Sequence, residues 1–340
     1  MRRIQTWMTG TTLAVAACTS EQTPTGPGEA LAPASPAAAV ANTWTALSPH
    51  NFAGRTGVSA GAAADGRKVF AHGGIDGDGG IASFLFTYTP ATDTWGGQHI
   101  TTPTLLQRFG GNGLGIINGK VYIAGGYVDD DGGVLFFSRQ LHVYDPVART
   151  LTRKADMPRG LAEGVVGVFD GKLYLLPGQC DANLWPQPGQ CPSSNIRRLY
   201  RYNPATNRWA ARAMAPHHHR NGAAGFIGGK FYVVGGRRPS GMEASLDVYD
   251  PATDTWVTRA PIPTAGPAIG TALAGKLYVV VGTKAYVYTP ATNKWAPIAA
   301  PANAGHQALV RVVVGGTPRL LAFGGHLASG QAAPSELYTP

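Results

Sequence analysis

Tyr249-Asp-Pro-Ala-Thr-Asp-Thr-Trp256 is one of five copies of a single phrase in this chain. The others are Tyr88-Thr-Pro-Ala-Thr-Asp-Thr-Trp95, Tyr144-Asp-Pro…Leu151, Tyr202-Asn-Pro-Ala-Thr-Asn-Arg-Trp209 and Tyr288-Thr-Pro-Ala-Thr-Asn-Lys-Trp295. A phrase recurring at a near-constant period marks one supersecondary unit stacked repeatedly. Within the phrase, Pro cannot donate to a strand ladder, and Asp or Asn favours a turn. Each copy therefore reads as a strand ending at Tyr, a tight corner, and a further strand opened by Trp.

Working outward, each copy follows a second recurrent phrase. These are Lys68-Val-Phe-Ala-His-Gly73-Gly74, Lys120-Val-Tyr-Ile-Ala-Gly125-Gly126, Lys172-Leu-Tyr-Leu-Leu-Pro-Gly178, Lys230-Phe-Tyr-Val-Val-Gly235-Gly236 and Lys276-Leu-Tyr-Val-Val-Val-Gly282. Apolar and aromatic residues running into glycine read as a buried strand that ends in a turn. Upstream of each Lys lies a small, Gly-rich strand such as 57–62 or 164–169. Four antiparallel strands per unit make a propeller blade.

Equivalent Trp positions are spaced 51 (Trp44 to Trp95), 56 (to Leu151), 58 (to Trp209), 47 (to Trp256) and 39 residues (to Trp295). The period, the paired glycines, the Tyr-Asp-Pro corner and the Trp resemble the kelch motif, whose repeat runs to about 50 residues. The resemblance covers roughly residues 40–340. Its departures are Leu151 for Trp, Pro177 for Gly, and the single Gly282.

The chain stops at Leu337-Tyr-Thr-Pro340, halfway through the phrase, and Val40-Ala-Asn-Thr-Trp44 supplies the missing half. We therefore expect an all-β, six-bladed kelch-type propeller over 40–340, with the last blade closed by the N-terminal strand. Closure of this kind removes open sheet edges.

Residues 1–17 carry Arg2-Arg3 and a modest apolar stretch, and Val15-Ala16-Ala17-Cys18 resembles a bacterial lipoprotein signal. An ordinary secretory signal is the alternative. The stretch is too short to span a bilayer as a mature helix. Residues 18–39, rich in Pro, Ala and Thr, read as a flexible tether. The expected location is the bacterial cell envelope, exported, with acyl chains on Cys18 as the only membrane attachment. Cys180 and Cys191 flank a Pro- and Gln-rich insertion without histidine, which in an exported protein is most simply a loop closed by a disulfide.

Net charge is +9, and cleavage before Cys18 would leave 26 basic against 19 acidic side chains. That balance favours an anionic partner, a small molecule, glycan or protein. No Lys or Arg run points to nucleic acid. No cofactor is expected, and the protein reads as a monomer.

In an up-and-down blade the loops after the Gly-Gly phrases share one face with the starts of the innermost strands. The large insertions 75–83, 127–139, 179–195 and 237–244 fall there, which makes it the expected binding face. Counting back 12 or 13 residues from the Lys that opens strand two gives Arg55, Arg108, Arg159, His217 and Thr264, with His306 in blade six. Placed at strand starts, they would ring the channel mouth with donors suited to carboxylates. The alternative is that they bond loop carbonyls and tie the structure together. Asn112, Tyr127 and Arg237 join them as ligand-binding candidates, and Tyr127 and Trp185 are possible sugar-stacking platforms.

Four residues on, with the same side-chain parity if the segment is a strand, stand Ser59, Asn112, Glu163, Asn221, Ala268 and Val310. Glu163 reads first as an internal partner of an arginine, and as a weak candidate for a catalytic acid or base. His217-His218-His219 puts only two imidazoles on one side of an extended segment, an incomplete metal set. Asp76-Gly-Asp78 and Asp129-Asp-Asp131 likewise lack a full calcium set. No metal is expected.

The function expected is a binding or interaction module for an anionic glycan or peptide carboxylate. Six kelch blades in an exported bacterial protein also resemble the N-acetylneuraminate epimerase group, which implies sugar-acid epimerase or mutarotase chemistry as the alternative. A copper oxidase of the galactose oxidase type is disfavoured, because that family has seven blades and a Cys–Tyr copper site.

Overall fold

The structure is a computed structural model, which describes residues 41–47, 59–63, 65–73, 84–99, 108–109, 113–129, 135–160, 162–179, 195–325 and 333–340. Six four-stranded antiparallel sheets form the blades. From innermost to outermost strand, blade one is Ser59–Ala62, Val69–His72, Phe84–Thr89 and Thr94–His99. Blade two is Gly113–Ile117, Lys120–Ala124, Leu141–Asp145 and Thr150–Arg153. Blade three is Val165–Phe169, Lys172–Leu176, Arg198–Asn203 and Arg208–Met214. Blade four is Ala223–Ile227, Lys230–Val234, Leu246–Asp250 and Thr255–Arg259. Blade five is Ile269–Leu273, Lys276–Val281, Lys284–Thr289 and Lys294–Ile298.

Blade six takes Ala308–Val314, Thr317–Phe323 and Glu336–Thr339 from the C-terminal end and Thr43–Ala46 from the N-terminal end. Trp44 pairs with Tyr338 in the register that puts Trp95 opposite Tyr88 and Trp256 opposite Tyr249. The expected closure by the N-terminal strand is what the structure shows.

The repeated phrase works as a corner and as a latch between blades. The fifth residue after Tyr is left-handed throughout: Asp93, Arg149, Asn207, Asp254 and Asn293, with Asn42 serving blade six. Asn and Asp tolerate that conformation better than other side chains. Their Oδ1 accepts the Tyr hydroxyl, as in Tyr249 to Asp254 at 2.7 Å and Tyr202 to Asn207 at 2.8 Å. The same Oδ1 accepts a backbone N–H from the preceding blade: Ala155 to Asn207, Ala213 to Asp254, Ala260 to Asn293 and Ala299 to Asn42. Each of those alanines then accepts the indole N–H of the neighbouring Trp on its carbonyl, at 2.8–3.0 Å.

Buried side chains sort into six clusters, each shared by two consecutive blades. At four seams the Tyr of the Lys phrase meets the Tyr of the next blade's corner, with ring centroids 6.0–6.3 Å apart. Glycine in the innermost strands lets neighbouring blades close on each other. A Cβ on Gly167 would lie 2.5 Å from the Phe231 ring, and one on Gly115 would lie 2.4 Å from Leu173. Among the described residues no helix is long and apolar enough to cross a membrane.

Candidate ligand-binding face

The starts of the innermost strands and the ends of the second strands do share a face. Val165 pairs with Leu176, Ala223 with Val234, Ile269 with Val280 and Ala308 with Phe323. Two small extra sheets decorate this face: a three-stranded one containing Arg108–Phe109 and Tyr127–Asp129, and the hairpin Arg237–Arg238 with Gly241–Met242.

The residues counted back from the Lys phrases do not open the innermost strands. Those strands begin at Val165, Ala223, Ile269 and Ala308, so Arg159, His217, Thr264 and His306 lie on the connections between blades. Arg108 pairs with Val128 in the extra sheet, apart from the innermost strand Gly113–Ile117. The parity argument fails for a related reason: Glu163 and Asn221 are left-handed, at φ 53° and 55°, which breaks any strand running through them. They instead carry a chain of backbone bonds around the mouth. Asn221 donates its N–H to the Glu163 carbonyl, and Ala268 donates to Asn221, each at 2.9 Å.

Three of the counted residues are held by their own blade's third strand. His217 bonds Asp247, Thr264 bonds Tyr286 at 2.7 Å, and His306 bonds Glu336 at 2.7 Å. Each partner stands two residues before the corner tyrosine, at Tyr249, Tyr288 or Tyr338. His306 is buried, and its Nε2 is spent on Glu336, which also accepts the N–H groups of Ala302 and Asn303. This histidine ties the connection to blade six through Nε2. Burial works to raise the Glu336 carboxyl, but the bonds from His306, Ala302 and Asn303 hold it below its usual range.

Asp247 is the equivalent group in blade four and is fully buried. It accepts the His217 backbone N–H at 3.0 Å, His217 Nδ1 and His219 Nε2 at 3.1 Å, and the Thr258 hydroxyl at 2.8 Å. Burial again pushes its carboxyl up, and hydrogen bonds from His219, Thr258 and His217 outweigh it, leaving a net lowering. His219 is buried and faces the Gly235 carbonyl with its other nitrogen, at 3.0 Å. His217 Nε2 has no hydrogen bond among the described residues, and the side chain is 37% exposed. His218 Nδ1 is buried without a partner among them, and burial, then Arg197, pushes its imidazole down.

Glu163 is an internal partner, as expected, and the arginine is Arg220 of the next blade's connection. Arg220 uses Nε for that contact, and its side chain is 38% exposed. Its backbone exchanges two hydrogen bonds with Arg237, at 2.7 and 3.2 Å, in an antiparallel bridge. Residues directly opposite in such a bridge project to the same side. Arg237 and Arg238 are exposed. Arg197 is different: its Nη1 caps the carbonyls of Ala215 and Pro216, as Arg139 caps Met157.

Sequence reading missed Arg220, Asp247 and Glu336. The last two carried a usable signal, an acid two places before the corner tyrosine where blades one, three and five have aromatics. Arg55, Asn112, Trp185, Cys18, Cys180 and Cys191 lie outside the described residues, and of Arg108 and Tyr127 only the backbone is described. Among the described residues no three His, Cys, Asp or Glu side chains converge as a metal site. On the opposite face a groove of about 250 Å³ runs between blades two and three, where Lys120 is paired with Asp145 at 2.9 Å.

The Kelch motif family matches residues 218–263, which span blade four. Kelch-like protein 25 of Xenopus tropicalis is 27% identical over 180 residues, 52% of this chain and 28% of that protein. Kelch-like protein 35 of Homo sapiens is 28% identical over 129 residues, 37% of this chain and 18% of that protein. Kelch-like protein terF of Aspergillus terreus is 24% identical over 255 residues, 69% of this chain and 54% of that protein. The chain thus spans about half or less of the length of these relatives. The solved structure of YjhT matches with a TM-score of 0.66 at 16% identity, over 85% of this chain and 95% of that one, a likeness of fold. Six blades, the recurrent Tyr–Trp corner and these similarities make the fold a six-bladed β-propeller of kelch type, with the Kelch motif itself matched in blade four.

Proposed function

We propose that this protein is a binding module that takes an anionic ligand, a glycan or a peptide carboxylate, on the loop-bearing face. The observation that carries this reading is the Arg220–Arg237 bridge. Like charges directly opposite one another destabilise a strand pair, and a bound anion relieves that repulsion. Of the Arg220 guanidinium only Nε is engaged among the described residues, so its terminal nitrogens present a planar fork suited to a carboxylate. Neither nearby acid bonds the terminal nitrogens of Arg220 among the described residues, Glu163 meeting only its Nε. Glu163 is already on Arg220, and Glu243 Oε1 is held by the Ala244 and Ser245 N–H groups and the Ser245 hydroxyl. Arg159, on the connection that leads into blade three, joins the basic set in this reading.

The test is calorimetric titration of the purified protein with polygalacturonate and with a carboxylate-terminated peptide. Arg237→Glu is expected to abolish binding, and Lys120→Glu, on the opposite face, to leave it intact. Equal losses from both would refute the location. We also place the protein in a bacterial envelope, tethered by acyl chains on Cys18. Metabolic labelling with a palmitate analogue that fails to mark the wild type would overturn this.

The second reading, a sugar-acid epimerase or mutarotase, needs a proton-moving group at the mouth. The observation favouring it is the solvent-facing Nε2 of an imidazole backed by a buried carboxylate, His217 on Asp247. Accelerated anomer exchange of N-acetylneuraminate in NMR, lost in His217→Ala, would support it. An unchanged exchange rate with wild type would remove it.

A further inference from the structure

The connection residue that meets the third strand performs the same structural task in blades four, five and six, but blade four performs it twice. In blade six His306 is buried and bonds Glu336 through Nε2. In blade five Thr264 bonds the Tyr286 hydroxyl. In blade four His219 takes the buried role, bridging Asp247 and the Gly235 carbonyl. Asp247 is further satisfied by Thr258 and by the His217 backbone N–H. The His217 ring is therefore surplus to the tie.

That surplus ring is nonetheless oriented. Nδ1 lies 3.1 Å from both Asp247 carboxylate oxygens, so in the neutral ring the Nδ1–H donates to the carboxylate and the Nε2 lone pair is directed away from it. A buried carboxylate that fixes the tautomer of a half-exposed imidazole produces a hydrogen-bond acceptor pointing at solvent. Three residues further along the same connection stands Arg220, a donor fork opposite Arg237. One segment thus carries a guanidinium fork and an imidazole nitrogen that is not spent on the tie.

We infer that His217 Nε2 is a specificity contact of this face, accepting a hydrogen bond from a hydroxyl next to the ligand's carboxylate, so that hydroxycarboxylic acids are preferred over plain carboxylic acids. This rests on the anionic-ligand reading above. A ligand without the hydroxyl leaves Nε2 facing an apolar carbon, and a polar group left unpaired at an interface costs affinity.

Two probes separate the two claims. Quinate and cyclohexanecarboxylate share a six-membered ring with one carboxylate, and only quinate carries hydroxyl groups, one on the carbon bearing the carboxylate. Calorimetry on the full chain is expected to show quinate binding about tenfold more tightly, a difference typical of one well-made hydrogen bond. His217→Ala should reduce that preference to about twofold or less, while His217→Gln, which keeps an acceptor, should retain most of it. Arg237→Glu should remove binding of both acids. If both acids bind equally in wild type, or His217→Ala leaves the ratio unchanged, the inference is overturned and the anion site stands. If neither acid binds, the anion site falls and the inference falls with it. Thermal melts of each variant exclude misfolding as the cause of a loss.

Discussion

The indole N–H of Trp44 donates to the carbonyl of Ala299 at 2.8 Å, joining residues 255 positions apart. Ala299 returns its own N–H to Asn42, two residues before that Trp, at 2.9 Å. The same device recurs between Trp209 and Ala155, Trp256 and Ala213, and Trp295 and Ala260, so the N-terminal strand is fastened to blade five as one blade is fastened to the next.

Trp44→Phe keeps an aromatic ring beside Tyr338 and removes the donor together with part of the indole's bulk. The Ala299 carbonyl then loses its partner, at a cost of about 1–2 kcal/mol. A thermal or urea melt should show this loss, with the slope against urea unchanged. An Asn42→Ala, Trp44→Phe double variant should lose less than the sum of the singles, since both act on one residue.

Blade two departs from the latch, with Arg149 at the left-handed position and Leu151 in place of Trp. Arginine has no short side-chain oxygen to accept the corner hydroxyl and is costly at positive φ. Arg149→Asn should therefore raise stability by about 1 kcal/mol. A melting temperature at or below wild type would show that this seam is organised differently.

Gly167 admits the rings of Phe226 and Phe231 from blade four, and the space for a Cβ is already occupied. Gly167→Val should cost about 1–3 kcal/mol by overpacking. Gly171→Ala provides a contrast of another kind: nothing lies within 4 Å of its Cβ position, and its φ of 62° makes strain the only source of loss. Near-ultraviolet circular dichroism should change for the first and not for the second.

Asp247 and Glu336 both hold their carboxyl groups below the usual range in the fold. The unfolded chain then binds protons more readily at acid pH, so their contribution is complete above about pH 4–5 and drains as pH falls through and below that range. Asp247→Asn should flatten the acid limb of a stability-versus-pH curve while lowering stability near neutrality. An acid limb as steep as wild type would place the titrating groups elsewhere.

Fold and site differed in how far they could be read from residues alone. Blade number, corner position and closure were legible because Tyr, Pro, Asn or Asp, and Trp sit within eight residues of each other, and their chemistry is local. The face that carries the long connections was legible from loop lengths. The strand starts were not: Glu163 and Asn221 adopt positive φ under the pull of backbone bonds from Ala162 to Gln179 and from Arg220 to Arg237, pairings that no local pattern announces.

The sequence by itself determined a closed ring of six repeated units, since each repeat carries its own turn and all but blade two its own Tyr–Trp pair. Only the tertiary structure decided which mouth residues are used up and which remain available. His306 disappears into Glu336, 30 residues on, while Glu163 meets Arg220 across 57 residues and Arg220 faces Arg237 in a bridge that continues blade four's inner hairpin. Such partnerships depend on how each connection folds back over its own blade and meets the next one, a geometry set by packing that sequence spacing does not encode.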